Sequence, residues 1–345
     1  MSYTLSKRKV FVILSIICFL GIGFFLSPAF AEDTIEIKFG YAPPPGMSPH
    51  EAFAKFKEVL EKISGGKIKV SLFPAGQLGG DRAVMEACQA GNLEMCASST
   101  QNASVFTDAF RPFDLPYMMQ SRESAYEILD GPIGKEVADR VEEQTGMKVL
   151  IFTEYGGMRQ MWNTKKEAKV PADLKGMKIR AVMSPVEMAI LKGFGANPVS
   201  LDWHEVYTAL KQGSIDGQGN SIELMYIAKH YEVMPYCTIL NYIWSGEPAY
   251  INANFFNSQS KENQKMILEA AHEALIYGRQ YAKDNEDRCF QKSKEYGIKF
   301  YTPTNDEMKK WREAVAPKIW NQFKDKIGKE KIEKVLKAQG VEFRF

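Results

Sequence analysis

The stretch from residue 35 to residue 98 decides the fold, and it opens with Ile35-Glu36-Ile37-Lys38-Phe39-Gly40-Tyr41. Ile35, Ile37, Phe39 and Tyr41 fall on one side and Glu36 and Lys38 on the other, the two-residue period of a strand. Phe53, Phe56, Leu60 and Ile63 then recur along one helical face that Gly65-Gly66 ends. Ile68, Val70 and Leu72 make a second strand, stopped at Pro74. Asp81 to Ala90 reads as a helix with Asp81 as its cap and Gly91 as its stop, and Met95 to Ser98 as a short apolar strand. Strand, helix, strand, helix, strand within about 65 residues argues an α/β unit with a parallel sheet and right-handed crossovers.

A second unit repeats the style further along. Val149–Phe152 and Met177–Val182 read as strands, and Ser184–Phe194 and Asp202–Gln212 as helices. Gly156-Gly157 lies between the units as a hinge or a simple turn, because glycine accepts backbone angles that other residues resist. A long helix from about Ser260 into the 280s has polar faces that could brace two lobes. Helices near Asp306–Phe323 and Lys329–Ala338 close the chain. The composition fits two globular domains: 345 residues, 45% hydrophobic and 25% charged.

Upstream of the first strand stands an export signal. Lys7-Arg8-Lys9 precedes an apolar run from Val10 to Leu26, and Ala29-Phe30-Ala31 supplies a small-x-small site, which predicts cleavage after Ala31 and a periplasmic product. Those 31 residues hold three bases and no acid, so the rest carries 41 bases against 42 acids. A near-neutral body without a basic block gives no case for nucleic acid. Cys88, Cys96, Cys237 and Cys289 form no C-x-x-C motif, and the spacing leaves disulfides and buried free thiols equally open.

Enzyme signatures fail one after another. His204-Glu205 and His272-Glu273 begin like a zinc-protease helix, but Thr208 and Ile276 stand where the second histidine belongs. Gly193-Phe194-Gly195 lacks the third glycine of a dinucleotide fingerprint, and no G-x-S-x-G elbow or Walker loop occurs. Binding is favoured over turnover, with no metal or cofactor expected. Arg180 ends the strand in Leu174-Lys175-Gly176-Met177-Lys178-Ile179-Arg180, and Arg159 follows the glycine pair. Open α/β sheets bind ligands at the carboxyl ends of their strands, and a guanidinium fork matches a carboxylate with two parallel hydrogen bonds.

Several longer words agree with this reading. Leu72-Phe73-Pro74-Ala75-Gly76-Gln77-Leu78-Gly79-Gly80-Asp81-Arg82, Phe113-Asp114-Leu115-Pro116-Tyr117, Leu174 to Arg180, and Glu205-Val206-Tyr207-Thr208-Ala209-Leu210 running into Ile215-Asp216-Gly217-Gln218 resemble the substrate-binding proteins of TRAP (tripartite ATP-independent periplasmic) transporters. The resemblance spans essentially the whole chain after the export signal. It implies a two-lobed fold like that of type II periplasmic binding proteins, each lobe a central sheet flanked by helices, with a long helix bridging them. One lobe would hold residues 32–156 plus about 246–284, the other 157–245 plus about 285–345. It implies a monomer that captures an organic acid by hinge closure and delivers it to a two-subunit TRAP permease. The alternative is a binding protein that feeds a receptor.

By the same resemblance Arg180 is the carboxylate clamp and Arg159 its support. Trp203 stands where an aromatic residue meets the ligand, and Asn220 where an amide reaches the carboxylate. Ser99 lies on the facing lobe. The sialic-acid branch has an arginine where this chain has Asn102, and an asparagine where it has Met183. The metal-using keto-acid branch has Glu-Trp after Asp-Gly, where this chain has Gln218-Gly219. Tyr155, Met183, Trp203 and Trp244 would line the cavity with apolar and aromatic surface, so the expected ligand is a monocarboxylate with an apolar or aromatic tail. C4-dicarboxylates and sugar acids are the alternatives.

Overall fold

The structure, a computed structural model, describes residues 34–341 and residue 345. The export signal and its cleavage after Ala31 lie outside the described residues. The strands are β1 (Ile35–Gly40), β2 (Ile68–Phe73), β3 (Met95–Ala97), β4 (Met147–Met158), β5 (Gln160–Asn163) and β6 (Lys178–Ala181). After them come β7 (Asn197–Ser200), β8 (Gly217–Asn220), β9 (Tyr236–Thr238), β10 (Trp244–Asn252) and β11 (Lys299–Tyr301).

They form two sheets, ordered β2-β1-β3-β10-β4 and β11-β9-β5-β8-β6-β7, each flanked by helices, and the two lobes are built on them. The expected parallel sheet holds for β1 with β2 and β3. Both sheets are nevertheless mixed, because β10 runs antiparallel to β3 and β4, and β5 antiparallel to β8 and β9. These antiparallel strands come from the chain's passages between lobes, which local periodicity does not announce. β4 continues through Arg159 into β5 of the other sheet, and the chain returns between β9 and β10. Gly156 and Gly157 sit at the end of β4 with φ of 72° and 85°, angles that disfavour any side chain.

The first sheet buries Ile37, Phe39, Val70 and Met95 beneath Phe53, Phe56 and Leu60 of the helix Ser48–Ile63. Each such side chain contributes roughly 1.5–3 kcal/mol by leaving water. The helix Lys261–Tyr296 packs on the same core through Ile267, Ala270, Ala271 and Ala274. Its far end places Cys289 in a separate core with Trp162, Val206 and Leu210. It therefore reaches both lobes, as its polar faces suggested, and runs ten or so residues beyond the expected end. The four cysteines outside the export signal are buried free thiols. Among the described residues no helix is long and apolar enough to cross a membrane.

Candidate functional site

A cavity of about 180 Å³ opens where the two sheets face each other. The first lobe lines it with Asp81, Arg82, Asn102 and Val105, the second with Arg180, Val182, Met183 and the segment from Ser200 to Trp203 together with Glu205. A smaller recess of about 20 Å³ shares Asp81, Asn102, Arg180, Val182 and Trp203, and adds Ser99, Tyr155, Arg159, Asn220 and Glu247. Eight of the nine expected site residues thus line one of these two connected spaces.

Arg180 lies on β6, which pairs in parallel with β7 and β8, so the strand delivers its guanidinium to the cavity at its carboxyl end. The residue is 4% exposed. Its Nε donates to the Leu201 carbonyl at 3.0 Å, while its two terminal nitrogens donate to no described residue. The Trp203 ring centre lies 6.0 Å from the guanidinium carbon. Burial pulls the Arg180 pKa below the ordinary arginine value, Arg159 adds to that pull, and Glu187 opposes it. The fork is a buried cation without a direct counterion.

Arg159 has its partner already. It is 2% exposed, and its Nη1 donates to Glu187 Oε1 at 2.5 Å and to the Gly219 carbonyl at 3.3 Å. Glu187 Oε2 accepts from the Val182 backbone N–H at 3.0 Å. Burial acts to lower the Arg159 pKa, but the Glu187 charge and other nearby groups outweigh it and leave it raised. The pair fixes the floor of the recess next to Arg180.

The remaining expected residues differ in how they are held. Trp203 stacks on His230 with ring centres 4.7 Å apart and planes 10° from parallel. Gln218 Nε2 lies 2.7 Å from His230 Nδ1, and burial, helped by Arg180, lowers the His230 pKa to about 4. Asn220 Oδ1 accepts from the Ser221 N–H at 3.0 Å, which leaves its Nδ2 for the recess. Ser99 caps the short helix Thr100–Ala103 by accepting from the Asn102 N–H, and Asn102 Nδ2 donates to Asp81 Oδ2 at 3.0 Å. Met183 stands half-exposed at the mouth.

Trp244 lies apart from the other eight. It is buried in the core outside both spaces, with Nε1 3.4 Å from Glu154 Oε2. The wall is mixed: Tyr155, Met183 and Trp203 line it with Val105, Val182 and Leu201, while Asp81, Asp202, Glu205 and Glu247 carry carboxyls to the same lining. Asp81 does not cap its helix: Gly80 is the cap residue, and burial raises the Asp81 pKa above the ordinary carboxyl value. Glu247 carries a signal in the sequence itself, an acid inside the apolar strand Trp244–Asn252, where a charged residue needs a reason. Among the described residues no group of three or more histidine, cysteine or acidic side chains is placed to hold a metal ion.

This geometry accompanies clear kinship. Residues 39–326 match the family model described as bacterial extracellular solute-binding protein, family 7. The chain is 30% identical over 310 residues to the 2,3-diketo-L-gulonate-binding periplasmic protein of Escherichia coli, covering 90% of this chain and 92% of that one. Among solved structures it is similar to a sugar acid binding protein from Advenella mimigardefordensis in complex with galactonate, at 31% identity and a TM-score of 0.86, covering 89% of this chain and 98% of that one. A TRAP periplasmic solute-binding protein from Sulfurospirillum deleyianum with bound succinate is 30% identical, with a TM-score of 0.84 over 89% and 99% of the two chains. The chain belongs to the family 7 bacterial extracellular solute-binding proteins, the solute-binding proteins of TRAP transporters.

Proposed function

We infer that the protein is a periplasmic receptor for an organic acid, without catalytic activity, which closes on its ligand and passes it to a TRAP permease. The observation that carries this reading is the Arg180 fork: buried, aimed into the cavity, held at Nε by Leu201 and free at both terminal nitrogens. A carboxylate would satisfy those nitrogens with two charge-assisted hydrogen bonds. One guanidinium is free and the other is committed to Glu187, which favours a single clamped carboxylate. Asn220 and Ser99, which line the recess, would complete its hydrogen bonds from the two lobes.

A ligand seated there contacts both lobes at once, and only such differential affinity can shift the molecule toward a closed state. An apolar tail fits poorly, since it would face the carboxyls of Asp81 and Glu247 and return no hydrogen bond to either. Calorimetric titration with a panel of mono- and dicarboxylates tests the clamp. Removing one partner of a buried charge pair costs about 3–5 kcal/mol, or ~10²–10³-fold in affinity, so Arg180→Ala should lose detectable binding while still folding. Arg180→Lys should fail almost as badly, because lysine keeps the charge and loses the fork. Wild-type affinity in Arg180→Lys would refute the bidentate geometry.

A further inference from the structure

Glu247 is the one carboxyl at this site that nothing explains. The residue is fully buried, and neither carboxyl oxygen has a hydrogen-bond partner among the described residues. It lines the recess beside Arg180, Asn220 and Tyr155. A register shift in the β10–β4 pairing falls between Ser245 and Gly246, immediately before it, and such irregularities re-aim side chains next to binding sites. Folding has placed an unpaired polar group in the interior, against the general rule that buried polar groups are partnered.

We propose that Glu247 is a specificity residue that recognises a hydroxyl group on the bound acid, making the ligand a hydroxylated carboxylate of the sugar-acid kind. This rests on the carboxylate clamp at Arg180. A carboxylic acid held neutral offers one donor and one acceptor, the same pair a hydroxyl offers in return. Burial, with the charge of Asp81, pushes Glu247 well above the ordinary glutamate range and supports the neutral form. Asp81 extends the polar wall: its Oδ2 accepts from Asn102 and its carboxyl faces the same recess. An ammonium ligand would require Glu247 to be ionised, and an alkyl tail would leave both its oxygens unpaired in the closed protein.

The test uses the full mature chain and matched acids: three- to six-carbon polyol acids including galactonate, with hexanoate and norleucine as the six-carbon acids bearing no hydroxyl. A polar site of this kind rejects an analogue that lacks the recognised hydroxyl by ~10⁴-fold or more, so the wild-type protein should prefer its best polyol acid over hexanoate and norleucine by at least ~10². Glu247→Leu should lose most of that preference and yet melt at a higher temperature, since an unpaired buried carboxyl is gone. Glu247→Gln keeps a donor and an acceptor and should retain the preference within about tenfold. Equal binding of hexanoate, tighter binding of norleucine, or an undiminished preference in Glu247→Leu would each overturn the proposal while leaving the Arg180 clamp standing. Failure of every acid in the panel to bind the wild-type protein would instead overturn the clamp itself.

Discussion

Arg159 and Arg180 have the same side chain and neighbouring positions, and the structure gives them opposite tasks. Arg159 is spent on Glu187, both residues almost wholly buried, whereas Arg180 has two terminal nitrogens in reserve. The difference is measurable. Arg159→Met removes one member of a buried pair and leaves the Glu187 carboxylate without its counterion, at a cost of about 3–5 kcal/mol of stability. Urea denaturation should show a lower midpoint and an unfolding free energy reduced by about that amount, while Arg180→Ala should stay near the wild-type midpoint. Equal midpoints for Arg159→Met and wild type would mean that the pair does not hold the floor of the recess. The sequence could nominate both arginines from their context, but it could not divide their roles, because Glu187 reaches Arg159 only when the helix Pro185–Gly193 packs against the strand crossing.

At the scale of elements, one carboxyl joins three helices. Glu223, on the helix Ile222–Ile227, accepts from the backbone N–H of Ser48 at 2.9 Å, from Ser48 Oγ at 2.7 Å and from Asn285 Nδ2. Ser48 starts the helix Ser48–Ile63 and Asn285 lies on the long helix Lys261–Tyr296, so the contact ties elements of both lobes together. Burial nonetheless raises the Glu223 pKa to about 7, the hydrogen bonds opposing it. The folded state therefore binds this proton more tightly than the unfolded chain does. Its contribution to stability is complete below the ordinary value of 4.5 and is lost as pH rises through about 7. Thermal unfolding followed across this range should show Glu223→Gln falling less steeply with pH than wild type. Parallel profiles would place the titration elsewhere.

The same contact explains why the long helix runs past the end that its apolar pattern suggests. Beyond residue 280 the sequence Lys283-Asp284-Asn285-Glu286-Asp287-Arg288 has no apolar stripe to mark a helix. The structure holds it through polar partners instead: Asn285 with Glu223, and Glu286 with Arg122 at 2.5 Å, before Gly297 ends it in the left-handed region with φ of 109°. Elements with regular apolar periods were legible, among them β1, β2 and the helix Ser48–Ile63. The irregular passages β5, β8 and β9 were not, because three or four residues carry too little period to register.

On the scale of the whole molecule, closure follows from where the cavity lies. Its walls belong to different sheets, and the chain crosses between them at Arg159, between β9 and β10, and along the long helix. The lobe edges already approach closely, since a Cβ at Gly76 would fall 2.6 Å from the His204 ring. Small-angle scattering should therefore record a smaller radius of gyration when the preferred acid is added in excess, and no change for Arg180→Ala. An unchanged radius in the liganded wild-type protein would argue that the ligand enters a preformed space without hinge motion.

What the amino-acid sequence determined by itself is the set of regular elements, the α/β class and a guanidinium at the carboxyl end of a strand, because each of these depends on residues within a few turns of one another. What only the tertiary structure decided is the wall that Arg180 faces. Asp81, Asn220 and Glu247 come from three segments scattered over more than 160 residues, and Trp244 leaves the site for the core although it stands three residues from Glu247. Which side chains share a cavity is set by how two sheets are packed and crossed, and local periodicity contains no record of that packing.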